Sequence, residues 1–170
     1  VGCVWGVEID RLSRGEDPKK SFFSRPFLSN DSLDFSFSGI KTAVFYKVEA
    51  LKKAEALTPK AKKEICAGFQ EAVCETLAKK TVRAMKKCGF KSCVVGGGVS
   101  ANSRLREMMA EQAKKEGFRV VFPPLALCQD NAAMIAGFGT ALFKAGQRDG
   151  ADLAGYADFS DNKDVVFLNL

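Results

Sequence analysis

Residues 94 to 107, Val-Val-Gly-Gly-Gly-Val-Ser-Ala-Asn-Ser-Arg-Leu-Arg-Glu, constrain this chain more than any other stretch. A β-branched run ends in Gly96, Gly97 and Gly98, and a polar, helix-starting segment follows at once. Three glycines at such a junction let the backbone turn sharply and approach a bound group with no Cβ in the way. The start of the next helix offers unpaired N–H groups and the positive end of a dipole, which suit a phosphate or another anion. A plain tight turn explains the same glycines, because their spacing matches neither the Walker nor the dinucleotide fingerprint. Other segments have to decide between the two.

The flanking text alternates strands with helices. A second junction, Leu127 to Ala133, follows a strand expected at Arg119 to Phe122 and its stop, Pro123-Pro124. Lys91 to Val95 reads as a short buried strand, followed past the glycines by a helix from about Asn102 to Glu116, closed by Gly117. Asp130 reads as the cap of a last helix, Asn131 to Ala145, closed by Gly146. Upstream, Thr58-Pro59 is a helix-start signal, and the helix from Lys60 to about Cys88 carries Ile65, Phe69, Val73 and Leu77 as one stripe. Ile40, Val44, Val48 and Leu51 mark an earlier helical face. Residues 22 to 38 read as a β-hairpin turning at Ser29-Asn30-Asp31. The tail from Arg148 is irregular, with a final strand expected at Val165 to Leu168. Alternation in the second half predicts an α/β layer with a parallel portion, and ligands in such layers collect at the carboxyl ends of the strands.

Composition excludes several classes of chemistry. The 170 residues contain no histidine, which removes imidazole acid–base catalysis and any imidazole metal site complete within the chain. The six cysteines form no Cys-x-x-Cys pair and sit among apolar neighbours, as free thiols of a reducing compartment do. No apolar run approaches the roughly 18 residues that span a bilayer. A cytoplasmic protein is expected, with no membrane partner. Net charge is +6, and the excess is local: Lys41 to Lys91 holds thirteen Lys or Arg against five Glu. Such a face attracts nucleic-acid phosphates or an acidic partner, and is also what a solvated helical surface looks like.

Three segments carry a resemblance to a known family: Phe35-Ser-Phe-Ser-Gly-Ile-Lys-Thr-Ala43, Gly96-Gly-Gly-Val-Ser-Ala-Asn-Ser-Arg-Leu-Arg106, and Cys128-Gln-Asp-Asn-Ala-Ala-Met-Ile-Ala136. In order and spacing they resemble the TsaD family, the tRNA threonylcarbamoyladenosine synthase subunit formerly labelled an O-sialoglycoprotein endopeptidase. Phe69-Gln-Glu-Ala-Val73 looks like its helix too. The resemblance spans residues 1–170 and implies a single domain equivalent to the C-terminal half of a two-lobed protein, with the N-terminal lobe absent. The implied fold is α/β, the C-terminal lobe of an actin-like ATPase of the sugar kinase, Hsp70 and RNase H-like group.

The implied reaction moves a threonylcarbamoyl group from threonylcarbamoyl-AMP to the adenosine beside the tRNA anticodon. The implied cofactor is one divalent metal ion, iron or zinc, that polarises the acyl donor. Asp130 resembles the family's carboxylate metal ligand, and Asn102, with Gly97 and Gly98, a nucleotide-contact position. Gly6 and Asp10 resemble the start of a substrate-contact segment that precedes the hairpin, although the family's Tyr-Pro-Gly-Gly-Pro appears here as Cys3-Val-Trp-Gly-Val7. Its metal-binding histidines belong to the N-terminal half, so this polypeptide alone is expected to hold metal poorly and to be catalytically silent. Implied partners are tRNA, threonylcarbamoyl-AMP or ATP/ADP, TsaB-like and TsaE-like subunits, the missing lobe, and a second copy of the chain. The alternatives are a non-catalytic nucleotide- or partner-binding lobe and, lower, a glycoprotein metalloendopeptidase, for which the chain supplies no nucleophile and no histidine pair.

Overall fold

A computed structural model describes residues 4–25, 32–148 and 150. The chain divides into two compact units, Val1–Asp130 and Asn131–Leu170. The first contains helices α1 (Val4–Ser13), α2 (Ser38–Lys53), α3 (Pro59–Cys88) and α4 (Ser103–Glu116), with strands β1 (Ser92–Val94) and β2 (Arg119–Val121). Short 3-10 turns occupy Pro18–Ser21, Gly98–Ala101 and Leu125–Leu127. The second unit contains α5 (Ala132–Lys144). No helix among the described residues is long and apolar enough to cross a membrane.

Helix α3 forms because Thr58 caps it, its Oγ1 accepting from Ala61 N at 3.1 Å, and Pro59 supplies a helical φ at the first position. Its middle is buried on several sides, including Ala72, Cys74, Thr76, Ala78 and Lys80. One side meets α2 in a cluster of Phe23, Ile40, Ile65 and Ala72, with Val44, Val48, Leu51, Phe69 and Val73 packed against it. The apolar faces expected for α2 and α3 therefore meet each other. Another side of α3 meets α4 and the sheet through Cys74, Ala78, Leu105, Met108 and Met109, with Leu77, Cys93, Val95 and Val120. The two strands pair in parallel, Ser92 opposite Arg119 and Val94 opposite Val121.

Three expectations are corrected here. Among the described residues of the expected hairpin, 22–25 and 32–37 contain no strand, and its turn lies outside them. Two of its phenylalanines serve helix packing instead, with Phe23 buried and Phe37 lodged on the α2–α3 cluster, while Phe22 and Phe35 stay exposed. The strand at Ser92–Val94 is not buried either, since α4 and α3 cover one face and leave Val94 77% exposed. Third, the cap of α5 is Asn131, whose side chain accepts from Met134 N at 2.9 Å, rather than Asp130. Asn131 is the residue that leaves extended geometry as the helix begins. The strand expected at Val165 to Leu168 lies outside the described residues.

The basic excess is also less uniform than its sequence. Lys80 is only 1% exposed, and its Nζ donates to Ser32 O at 3.0 Å and to Asp34 O. A buried ammonium is tolerable only when bonded in this way. Lys52, Lys79 and Lys86 pair with Glu49, Glu75 and Glu116.

One position sets the approach of the N-terminal segment to α3. A Cβ at Gly68 would lie 1.7 Å from the Ser21 carbonyl oxygen, so only glycine lets the Pro18–Ser21 turn rest on the helix. Gly68→Ala should therefore destabilise the fold by about 1–3 kcal/mol or more, the range for overpacking a close contact. Gly39→Ala, where a Cβ meets open space, should stay within about 1 kcal/mol of the parent. Urea unfolding midpoints of the two variants check the contrast.

Candidate functional site

Asn102 ends the turn that follows β1 and caps α4. Its Oδ1 accepts from Leu105 N at 3.0 Å, which satisfies one of the helix's orphan amides. Its Nδ2 donates to Gln70 Oε1 at 2.8 Å, and the Cys74 thiol lies 3.5 Å from its Oδ1. Both groups are engaged, so α3 orients this side chain from below. The glycines do not abut α4: Gly98–Ala101 makes a 3-10 turn first, and Gly97 sits at φ 84°, in the left-handed region that favours glycine. Gly97 and Gly98 are exposed. Beneath them the Ser100 hydroxyl is buried without a hydrogen-bond partner among the described residues.

Asp10 arrives from α1. Asp10 is 8% exposed, and its carboxylate accepts from Ser103 Oγ at 2.7 Å and meets the Arg14 guanidinium at 3.3 Å. Gly6 lies one turn earlier on α1, exposed, with open space where a Cβ would stand. The structure thus brings Asp10 beside the Asn102 turn, through the neighbouring serine. Beside them opens a cleft of about 350 Å³ lined by Ser13, Arg14, Gln70, Glu71, Ser103 and Arg104. Its charges are largely matched, since Arg104 donates to both Glu71 oxygens at 2.7 and 3.0 Å. Hydrogen bonding to Glu71 raises the Arg104 guanidinium above its ordinary value.

The Leu125–Leu127 turn carries the chain from β2 to Asp130, which is exposed at the end of the first unit. Cys128 just before it is buried, its thiol 3.5 Å from Pro124 O. Among the described residues no group of three or more His, Cys, Asp or Glu gathers to hold a metal. Asp130 is a single oxygen donor, where a catalytic ion takes about three protein ligands. The described residues by themselves do not make a resident metal site.

The profile of the family described as TsaD, tRNA N6-adenosine threonylcarbamoyltransferase, matches residues 1–137. The chain belongs to the TsaD family. Proteins with that same enzyme name from Syntrophotalea carbinolica, Geobacter sulfurreducens and Trichlorobacter lovleyi are 44%, 45% and 46% identical over 153, 148 and 155 residues. Those alignments cover 90%, 87% and 91% of this chain but 44%, 43% and 44% of the relatives. This TsaD-family chain therefore spans under half the length of the relatives it matches.

Within this family member, sequence reasoning pointed to Asn102, Asp10 and Asp130 and missed the residues that hold them. Gln70 and Cys74 were readable only as helix positions facing α4 at i and i+4. Ser103 looked like generic helix-start text. Arg106 and Lys80 carried no signal beyond their charge.

Burial, and secondarily the Glu71 and Asp10 carboxylates, push the Cys74 thiol up to about 12, against a smaller opposing pull from Arg104. At pH 8 a thiol held there is thiolate in about one molecule in ten thousand. Iodoacetamide at pH 8, read by peptide mass mapping, should label exposed Cys88 and spare Cys74 until the chain unfolds. The folded state also keeps this proton from about pH 8.5, where an unfolded chain gives it up, to about 12. Stability should fall as pH rises through that window, and less steeply in Cys74→Ala.

Proposed function

We propose that this chain supplies one wall of the site at which a threonylcarbamoyl group is transferred to tRNA, in a two-lobed, actin-like α/β architecture of which residues 1–170 are the C-terminal lobe. The observation that carries the reading is the meeting of Asp10 and the Asn102–Ser103 helix start across α1, α3 and α4, in a chain whose family profile bears the transferase name. In this reading Gly97, Gly98 and Asn102 face the nucleotide portion of threonylcarbamoyl-AMP or of ATP/ADP. Glycines without Cβ atoms allow close approach, and the short turn before α4 directs amides toward an anion. Gly6 and Asp10 contact the same ligand from α1.

The reaction forms a bond between the exocyclic nitrogen of adenosine and the carbonyl carbon of the donor. The bond from that carbon to the phosphate oxygen breaks, AMP leaves with the electron pair, and the amine gives up a proton. Binding and orientation are what this chain's residues contribute. Asp130 would supply one ligand to a divalent ion, iron or zinc, with the remaining ligands from the other lobe. TsaB-like and TsaE-like subunits, tRNA on the unpaired lysines of the surface, association with a second copy, and a cytoplasmic setting complete the proposal.

The alternative of a partner-binding lobe has its own support in the exposed apolar face of the sheet, Val94 above all. Threonylcarbamoylation of tRNA, assayed with the complete protein and its partner subunits, separates the two. Asp130→Asn should cut activity by at least about a hundredfold with little change in unfolding midpoint. Asn102→Ser, which keeps a cap but loses the amide, should weaken adenylate binding by about tenfold. Full activity of Asp130→Asn would leave the partner-binding lobe as the better reading.

A further inference from the structure

The parallel ladder between β1 and β2 ends with Val95 N donating to Val121 O at 3.0 Å. Beyond it the chain diverges into two loops, one leading to Asn102 and the other to Asp130. Among the described residues, the backbone hydrogen bonds past that point stay inside each loop: Ser100 N to Gly97 O and Asn102 N to Val99 O in the first, Leu127 N to Pro124 O and Cys128 N to Leu125 O in the second. The side chain of Arg106 crosses between them. Arg106, on the first turn of α4, donates from Nε to Ser100 O at 2.6 Å and from Nη2 to Pro123 O at 2.8 Å. The same Nη2 lies 3.3 Å from Cys128 Sγ, and the guanidinium sits 4.8 Å over the Phe122 ring.

The partners belong to both loops. Ser100 is two residues before Asn102, and Cys128 two residues before Asp130. Arginine's donors leave a rigid plane in fixed directions, so bonds from Nε and Nη2 fix a distance and an angle between their acceptors. The Phe122 face below removes the remaining rotation of that plane. Lysine has one ammonium on a flexible stem and cannot hold the same geometry.

We propose that Arg106 is a positioning residue that locks the two strand-end loops together and thereby sets the spacing of Asn102 and Asp130 at the ligand. The inference rests on the reading above that these loops wall one site. The buckle itself stands on the geometry alone.

The test uses the full chain with hydrogen exchange and calorimetric titration of Mg·ATP. In Arg106→Lys, amides 97–102 and 125–130 should exchange faster together by about tenfold or more, while amides 108–114 of α4 keep their protection. Affinity for Mg·ATP should fall by about tenfold. Arg106→Gln, smaller and uncharged, gives the same pattern if lysine disturbs packing. Faster exchange in only one loop, or in neither, overturns the proposal and leaves Arg106 a local loop bond. Faster exchange in both loops with unchanged Mg·ATP affinity overturns the positioning role. A parent chain with no Mg·ATP affinity would instead sink the proposed nucleotide site, and the exchange pattern would still decide whether the buckle exists.

Discussion

The burial of α3 is the constraint on which the first unit depends. A helix of 30 residues that is enclosed over its middle has no single apolar stripe, and so each neighbour must find a different face of it. Small residues make that feasible. Gly68 admits the backbone of the Pro18–Ser21 turn, and Ala72, Cys74 and Ala78 let α2 and α4 come close. Two polar groups inside this crowd are bonded: Thr76 returns its hydroxyl to Ala72 O at 2.7 Å, and Lys80 reaches the carbonyls of Ser32 and Asp34. Close packing of this kind transmits displacement rather than absorbing it.

That enclosure explains which parts of the fold were legible. Local signals worked where local physics decides: Thr58-Pro59 began α3, Gly89 and Gly117 closed α3 and α4, and the two short strands paired in parallel. They failed where a distant element decides. The alternating phenylalanines before α2 fit a strand on paper, but a strand needs a partner for its backbone, and Phe37 packs on the α2–α3 cluster instead while Phe35 stays exposed. The exposure of Val94 was equally invisible, because a β-branched run says that a face prefers burial without saying whether anything covers it.

The candidate site divides along the same line. Asn102 and Asp10 could be named from their motifs, but their meeting depends on Ser103, Gln70 and Cys74, contributed by elements far apart in sequence. The chemistry of the site is also quieter than its charges imply. Arg104 and Glu71 neutralise each other at the cleft, and Cys74 stays a thiol.

Lys80 has a consequence for how the molecule assembles. The segment leading into Ser38-Gly-Ile-Lys, one of the three stretches that define the family likeness, is tied at Ser32 and Asp34 to an ammonium more than forty residues downstream. Those ties join groups far apart in sequence, so the approach to α2 carries the loop-closure cost of a long-range contact. A nascent chain not yet extended to Lys80 would therefore present the approach to this motif without that anchor.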